Sequence, residues 1–156
     1  MALYLLLAAV LVAADQALKL WVRGNIAPGG SVKLLPGVMD LTYVRNTGAA
    51  FSSLSAHTWI LTAVSALAAA VLLVLLVRRR TFRHPAGETI LAVLLAGTVG
   101  NLIDRAALGY VTDMFRTLFI RFAVFNVADI CLTCGAAALC VYVLFFYDKL
   151  EKRDAP

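Results

Sequence analysis

The chain has 156 residues, 62% of them hydrophobic and only 15% charged, with a mean hydropathy of +0.88 and a net charge of +5. Soluble domains carry roughly 45–50% apolar and about 25% charged residues. The apolar surplus therefore faces lipid, which excludes a water-soluble enzyme, a nucleic-acid-binding module, a disordered tail and a disulfide-stapled secreted domain. Nor does the positive balance mark a polyanion partner: four of the 14 basic residues fall between Arg78 and Arg83 and three between Lys149 and Arg153, beside apolar runs, where they act as topology signals.

The first apolar segment spans about residues 2–22, uncharged as far as Ala14 and carrying Asp15 and Lys19 beyond it. A cleavable signal peptide is disfavoured, because no basic region precedes the run and those two charges sit where a cleavage region is uncharged. Ser31–Leu35, the turn dipeptide Pro36-Gly37 and Val38–Arg45 predict a short hairpin. Thr58–Val77 is a second span, without any charge and closed by Arg78-Arg79-Arg80. A third covers about 86–104 and ends at Asp104 and Arg105. Leu118, Ile120, Phe122 and Val124 alternate within Phe115–Phe125, which is expected to extend the hairpin into a small sheet. The fourth span covers about 128–147. Backbone groups in lipid must be satisfied internally, so each span is helical.

The expected fold is an all-α membrane protein, one domain over 1–156, with four transmembrane helices and a small β-sheet at the outer membrane surface. The Lys and Arg bias puts Arg78–His84 and the Lys149–Arg153 tail in the cytoplasm, and with them both termini. Cys131, Cys134 and Cys140 all fall in the fourth span and read as packing residues. His57 and His84 lie on opposite membrane faces, so no metal site is expected from them.

Ionisable groups in spanning helices cost about 2.5–3.5 kcal/mol each on insertion scales and mark function by default. Asp15 and Lys19 are spaced i, i+4; Asn101, Asp104 and Arg105 are spaced i, i+3, i+4; Asn126 and Asp129 are spaced i, i+3; and Asp113 lies in the outward segment between them. The topology gathers all of them at the outer leaflet. Each has a structural reading: an ion pair easing insertion for Asp15 and Lys19, a helix-end pair for Asp104 and Arg105, an N-cap for Asn126. Two carboxyls held together divide one proton, and such a pair can activate water and protonate a leaving amine, which is aspartic-protease chemistry. Spacing leaves open whether Asp104 or Asp113 partners Asp129. A proton-coupled transporter or channel is the competing reading, and it requires acids spread through the bilayer depth. A non-catalytic scaffold would leave the Asn126/Asp129 and Asn101/Arg105 pairings without purpose.

Five motifs occur in order: Asp15-Gln16-Ala17-Leu18-Lys19, Asn46-Thr47-Gly48-Ala49-Ala50-Phe51, Gly100-Asn101-Leu102-Ile103-Asp104-Arg105, Val111-Thr112-Asp113-Met114 and Phe125-Asn126-Val127-Ala128-Asp129. With this membrane placement the whole chain resembles the bacterial lipoprotein signal peptidase (signal peptidase II) family. The resemblance implies an intramembrane aspartyl endopeptidase of the bacterial inner membrane, cutting prolipoproteins just before a diacylglyceryl-modified cysteine at the outer leaflet. It makes Asp113 and Asp129 the catalytic dyad. It places Asn46, Gly48, Asn101, Arg105, Asn126 and Ala128 around substrate or dyad, Asp15 and Lys19 as a pair shaping the site, and Asp104 in a structural role. It further implies a sheet that cradles substrate, a mobile amphipathic element around Phe51–His57, and no cofactor or metal. The partners implied are the prolipoprotein and membrane lipid, with no nucleic acid, and a monomer is expected. Arg105 and Arg116 are candidates for meeting headgroup phosphates or substrate backbone. Two departures from the family pattern, Met114 and Ala96-Gly97, preserve side-chain size.

Overall fold

The computed structural model describes residues 1–48, 58–78, 81–82 and 84–153. Among the described residues four helical stretches are long and apolar enough to cross a bilayer: α1 (Ala2–Asn25), α2 (Thr58–Arg78), α3 (Pro85–Leu108) and Val127–Leu150, which begins with α4 (Val127–Val141). A π-helical turn, Tyr142–Phe146, and a short α5 (Tyr147–Arg153) carry α4 onward. Strands β1 (Ser31–Leu35), β2 (Met39–Asn46) and β3 (Val111–Thr117) form one antiparallel sheet in the order β1-β2-β3. Four spanning helices with a small sheet is the architecture that the apolar runs and turn dipeptides predict.

Helix α3 is the central post, packed against α1, α2 and α4 and buried over most of its length. It runs past Asp104 and Arg105, where the apolar run ends, because those charges are taken up inside the protein. It stops at Gly109, which adopts a left-handed φ of 76° and returns its N–H to the Arg105 carbonyl. Its start is set by Pro85 in the first turn and by His84, whose Nδ1 accepts from the Ala86 N–H at 3.2 Å. Glu88, absent from the sequence-based candidates, is buried in that same first turn, where the helix dipole favours an acid. By contrast α2 fully buries only Ala69 and Leu76, with Leu72 and Leu75 partly buried against the core.

The approach of α4 to α3 depends on small residues. A Cβ on Gly97 would stand 2.5 Å from the Ala128 carbonyl oxygen, and one on Gly100 would stand 2.8 Å from Asp15 Oδ2. The first obstacle is backbone, so α4 has to move. Gly97→Ala is expected to lower stability by about 1–3 kcal/mol through overpacking, read as a shift in thermal unfolding in detergent.

The third strand differs from expectation. The paired residues are Val111–Thr117, with only an isolated bridge joining Phe115 to Phe125. The alternating residues after Thr117 leave the sheet, and Leu118, Phe119, Ile120 and Phe122 are exposed. Val111 to Met114 are all buried, so the true strand lacks the inside–outside alternation of a half-solvated one.

Candidate active site

Strand β3 brings Asp113 to the N-terminus of α4, where a reciprocal cap is built. Asn126 Oδ1 accepts from the Asp129 N–H at 2.8 Å, and Asp129 Oδ2 accepts from the Asn126 N–H at 3.1 Å. The Asp129 carboxylate is thereby turned back toward β3. Its Oδ1 accepts from Asn101 Nδ2 at 2.7 Å. Asp113 Oδ1 accepts from Asn126 Nδ2 at 2.7 Å and its Oδ2 from Asn46 Nδ2 at 2.9 Å. All four carboxylate oxygens thus accept from an N–H, and Asn126 is bonded to both acids.

The amides that donate are themselves oriented. Gly48 N–H donates to Asn46 Oδ1 at 3.0 Å, which leaves the Asn46 NH2 for Asp113. Lys19 Nζ and Asn126 Nδ2 both donate to Asn101 Oδ1, each at 3.1 Å, which leaves the Asn101 NH2 for Asp129. Asp113 lies on the sheet, outside the spanning helices. Burial, and then the neighbouring Asp129 carboxylate, lift its pKa to about 6, against the lowering effect of its bonds from Asn46 and Asn126.

Both acids line a cavity of about 560 Å³. Asn46, Asn101 and Arg105 supply the rest of its polar side, and Phe122, Val124, Ile130 and Leu132 belong to an apolar side. Arg105 Nη1 donates to Ser65 Oγ at 3.4 Å, and its buried Nε has no hydrogen-bond partner among the described residues.

Behind the dyad is a buried ionic layer. Lys19 Nζ lies 2.9 Å from Asp15 Oδ2 and 3.5 Å from Asp104 Oδ2, and donates to the Gly100 carbonyl at 3.3 Å. Asp15 Oδ1 accepts from the Ala128 N–H at 2.9 Å, tying α1 to the first turn of α4. Asp104 accepts from the Thr112 N–H at 2.8 Å and pairs with Arg23 at 3.6 Å, fixing α3 to the strand that carries Asp113. Gln16 Nε2 joins Asp15, Gly100 and Asp104.

The residues singled out from sequence therefore form one connected cluster in two layers. Asp113, Asp129, Asn46, Asn101 and Arg105 face the cavity, whereas Asp15, Lys19, Asp104, Ala128, Asn126 and Gly48 support it from behind or beside. Arg116 is engaged by Asp40 at 3.0 Å and Ser31 at 3.2 Å, away from the cavity. The cysteines are free, but only Cys131 is buried; Cys134 and Cys140 are exposed, and Cys134 lines the cavity, so packing describes only the first. Among the described residues no group of His, Cys, Asp and Glu could hold a metal ion. The Phe51–His57 element lies outside the described residues. Sequence reasoning quoted Gln16 and Thr112 within its motifs without giving them a role, and missed Arg23, Ser65 and the apolar wall. Gln16 adjoins a flagged acid, but a lone serine in an uncharged helix carries no signal of its own.

The model of the family described as signal peptidase (SPase) II matches residues 7–145. The chain is 40% identical over 147 residues to the lipoprotein signal peptidase of Clostridioides difficile (strain 630), covering 94% of this chain and 98% of that one. It is 40% identical over 156 residues to the lipoprotein signal peptidase of Latilactobacillus sakei, covering 99% and 100%. A bacterial membrane enzyme structure obtained by the in meso method at 2.3 Å resolution superposes with a TM-score of 0.85 at 27% identity, over 92% of this chain and 88% of that one.

Proposed function

The chain belongs to the signal peptidase II family of aspartic peptidases, and from that premise we propose that Asp113 and Asp129 form its catalytic dyad and cut prolipoproteins just before a diacylglyceryl-modified cysteine. The observation that carries this reading is the pair of acids on one cavity wall, joined through Asn126 and fully ringed by N–H donors.

Asp129 is the base. Its carboxylate sits in the first turn of α4, held by the Asn126 N–H on one oxygen and the Asn101 amide on the other. Asp113 carries the proton. In the first step a water oxygen bonds to the scissile carbonyl carbon; the water proton passes to Asp129, and the Asp113 proton passes to the carbonyl oxygen. In the second step the C–N bond breaks, the nitrogen takes the proton from Asp129, and a hydroxyl of the intermediate returns one to Asp113. The step as written needs no cofactor. The free donors of Arg105 are placed to meet substrate carbonyl oxygens, and the wall of Phe122, Val124, Ile130 and Leu132 suits an apolar signal segment and acyl chains.

The same reading sets the enzyme in the bacterial inner membrane as a monomer, with both termini cytoplasmic and the site toward the outer leaflet, where its lipid-anchored substrate resides. Among the described residues the transporter alternative finds no path. Glu88, the buried acid toward the other end of α3, is 16 residues or about 24 Å from Asp104, and Leu91, Ala92, Leu94, Leu95 and Ala96 are buried between them.

Purified protein in detergent should release the signal peptide from a synthetic diacylglyceryl prolipoprotein and leave its unlipidated twin intact. Cleavage of both alike, or of neither, would contradict the proposal. The pH profile carries a second expectation. The working form needs the Asp113 proton, so kcat/KM should fall as pH rises through about 6. Asn46 stabilises the ionised form, so Asn46→Leu should move that limb toward higher pH while costing about tenfold in rate through lost orientation. An unmoved limb would remove Asp113 from the acid role.

A further inference from the structure

Helix α2 carries a stripe spaced as one helical face: Ser65, Ala69, Leu72 and Leu76. Ala69 and Leu76 are buried and Leu72 packs beside them, in the same apolar cluster as Leu91, Leu95 and Ala96 of α3. The first position of the stripe breaks the pattern with a hydroxyl. Ser65 is also the one described residue of α2 that lines the cavity. Other hydroxyls of the bundle return to their own helix: Thr62 donates to the Thr58 carbonyl at 2.9 Å, Thr89 to the Pro85 carbonyl at 2.9 Å and Thr98 to the Leu94 carbonyl at 2.8 Å. Ser65 Oγ instead accepts across the helix pair from Arg105 Nη1 at 3.4 Å.

We propose that Ser65 is a positioning residue for substrate recognition, holding the Arg105 guanidinium to α2 so that its remaining donors are available to a carbonyl of the prolipoprotein. Of the described residues lining the cavity, only Arg105 is cationic. Helix α3 fixes its Cα, but a long flexible side chain leaves the charged end free unless that end is tied as well. Asp113 and Asp129 line the same cavity and attract the guanidinium. Among the described residues it nevertheless pairs with neither acid, and its one hydrogen bond is to Ser65. Engaging Nη1 leaves the opposite edge of the guanidinium, where Nε and Nη2 present two N–H donors side by side. The buried Nε has no partner among the described residues, and a substrate carbonyl would supply one. Without the hydroxyl the guanidinium samples other rotamers and substrate has to order it, a cost that falls on binding and not on bond breaking. The inference rests on the peptidase reading and deepens it, adding a residue that none of the five motifs contains.

The test measures binding and cleavage separately, on the full chain in detergent. The binding probe is a fluorescent diacylglyceryl prolipopeptide with a ketomethylene group in place of the scissile amide, which keeps the carbonyl and cannot be cut. Ser65→Ala should weaken its binding about fivefold and raise KM for the cleavable peptide by a similar factor, with kcat within about twofold of wild type. Ser65→Thr restores a hydroxyl and should bind within about twofold of wild type. In an Arg105→Gln background, Ser65→Ala should change binding by less than about twofold, because the group it acts through is gone. Binding unchanged by Ser65→Ala, an equal loss in both backgrounds, or a loss that Ser65→Thr fails to restore overturns the proposal. So does a fall in kcat with KM unmoved, which would place the disturbance in the dyad. If wild type cuts nothing, the peptidase reading fails, while the binding comparison still decides the role of Ser65.

Discussion

Asp113→Asn and Asp129→Asn are each expected to lower kcat by about 10³-fold or more, because each removes one half of a proton-transfer pair and such groups contribute about 10²–10⁴-fold apiece. The double variant should be scarcely worse than either single one, since residues acting as a unit are strongly non-additive. Both substitutions keep size but turn an NH2 toward an N–H that the carboxylate accepted from, so the folding of each variant is checked before its rate is compared. Asp104→Asn is the informative contrast. Its carboxylate is buried among Lys19, Arg23, Gln16 and the Thr112 N–H and does not line the cavity. It should therefore act through stability, with cleavage by the folded fraction retained in part. A panel of initial rates on folded, monodisperse protein decides this. Activity that survives Asp113→Asn but not Asp104→Asn would transfer the first acid's role to Asp104.

Lys19→Met is expected to be the most damaging single change to stability. The ammonium is fully buried beside Asp15 and Asp104, both about 1% exposed, and it also orients Asn101. Removing one partner of a buried ion pair strands the other charge, at a cost of about 3–5 kcal/mol. Asp104 would keep the partly exposed Arg23 whereas Asp15 would lose its ammonium partner, and the Asn101 amide would lose one of the donors that fixes its direction. Unfolding in a denaturing detergent should show the loss. A change below about 1 kcal/mol would mean that water replaces the ammonium and that the layer behind the dyad is not sealed. Asp15→Leu should also be costly, for a further reason: it orphans the Ala128 N–H at the start of α4.

The spans were legible because a bilayer demands long uncharged runs, and the hairpin because Pro36-Gly37 punctuates two apolar stretches; Gly37 does turn with a φ of 75°. The polar cluster was legible for a related reason: Asp15, Lys19, Asp104 and Asp129 are expensive in lipid and stand out of an apolar background. The third strand was misplaced because period-two patterning reports one-sided exposure. Val111 to Met114 are buried throughout and lack that pattern, while Leu118 to Val124 show it outside any strand. Helix ends were short by a few residues for the converse reason, since a charge ends an apolar run on paper but not when buried neighbours receive it, as at Asp104. Ser65 and the wall of Phe122, Val124 and Leu132 were invisible, because in a membrane chain an apolar residue facing a cavity looks the same as one facing lipid.

The most direct measurement is the mass of both products after wild type, Asp113→Asn and Asp129→Asn are incubated with one diacylglyceryl prolipopeptide. Wild type should yield a signal peptide with a free carboxylate at the residue before the cysteine and a partner beginning with the lipidated cysteine, and neither variant should yield either. Products at another bond, or the same products from a folded Asp113→Asn or Asp129→Asn protein, would contradict the dyad.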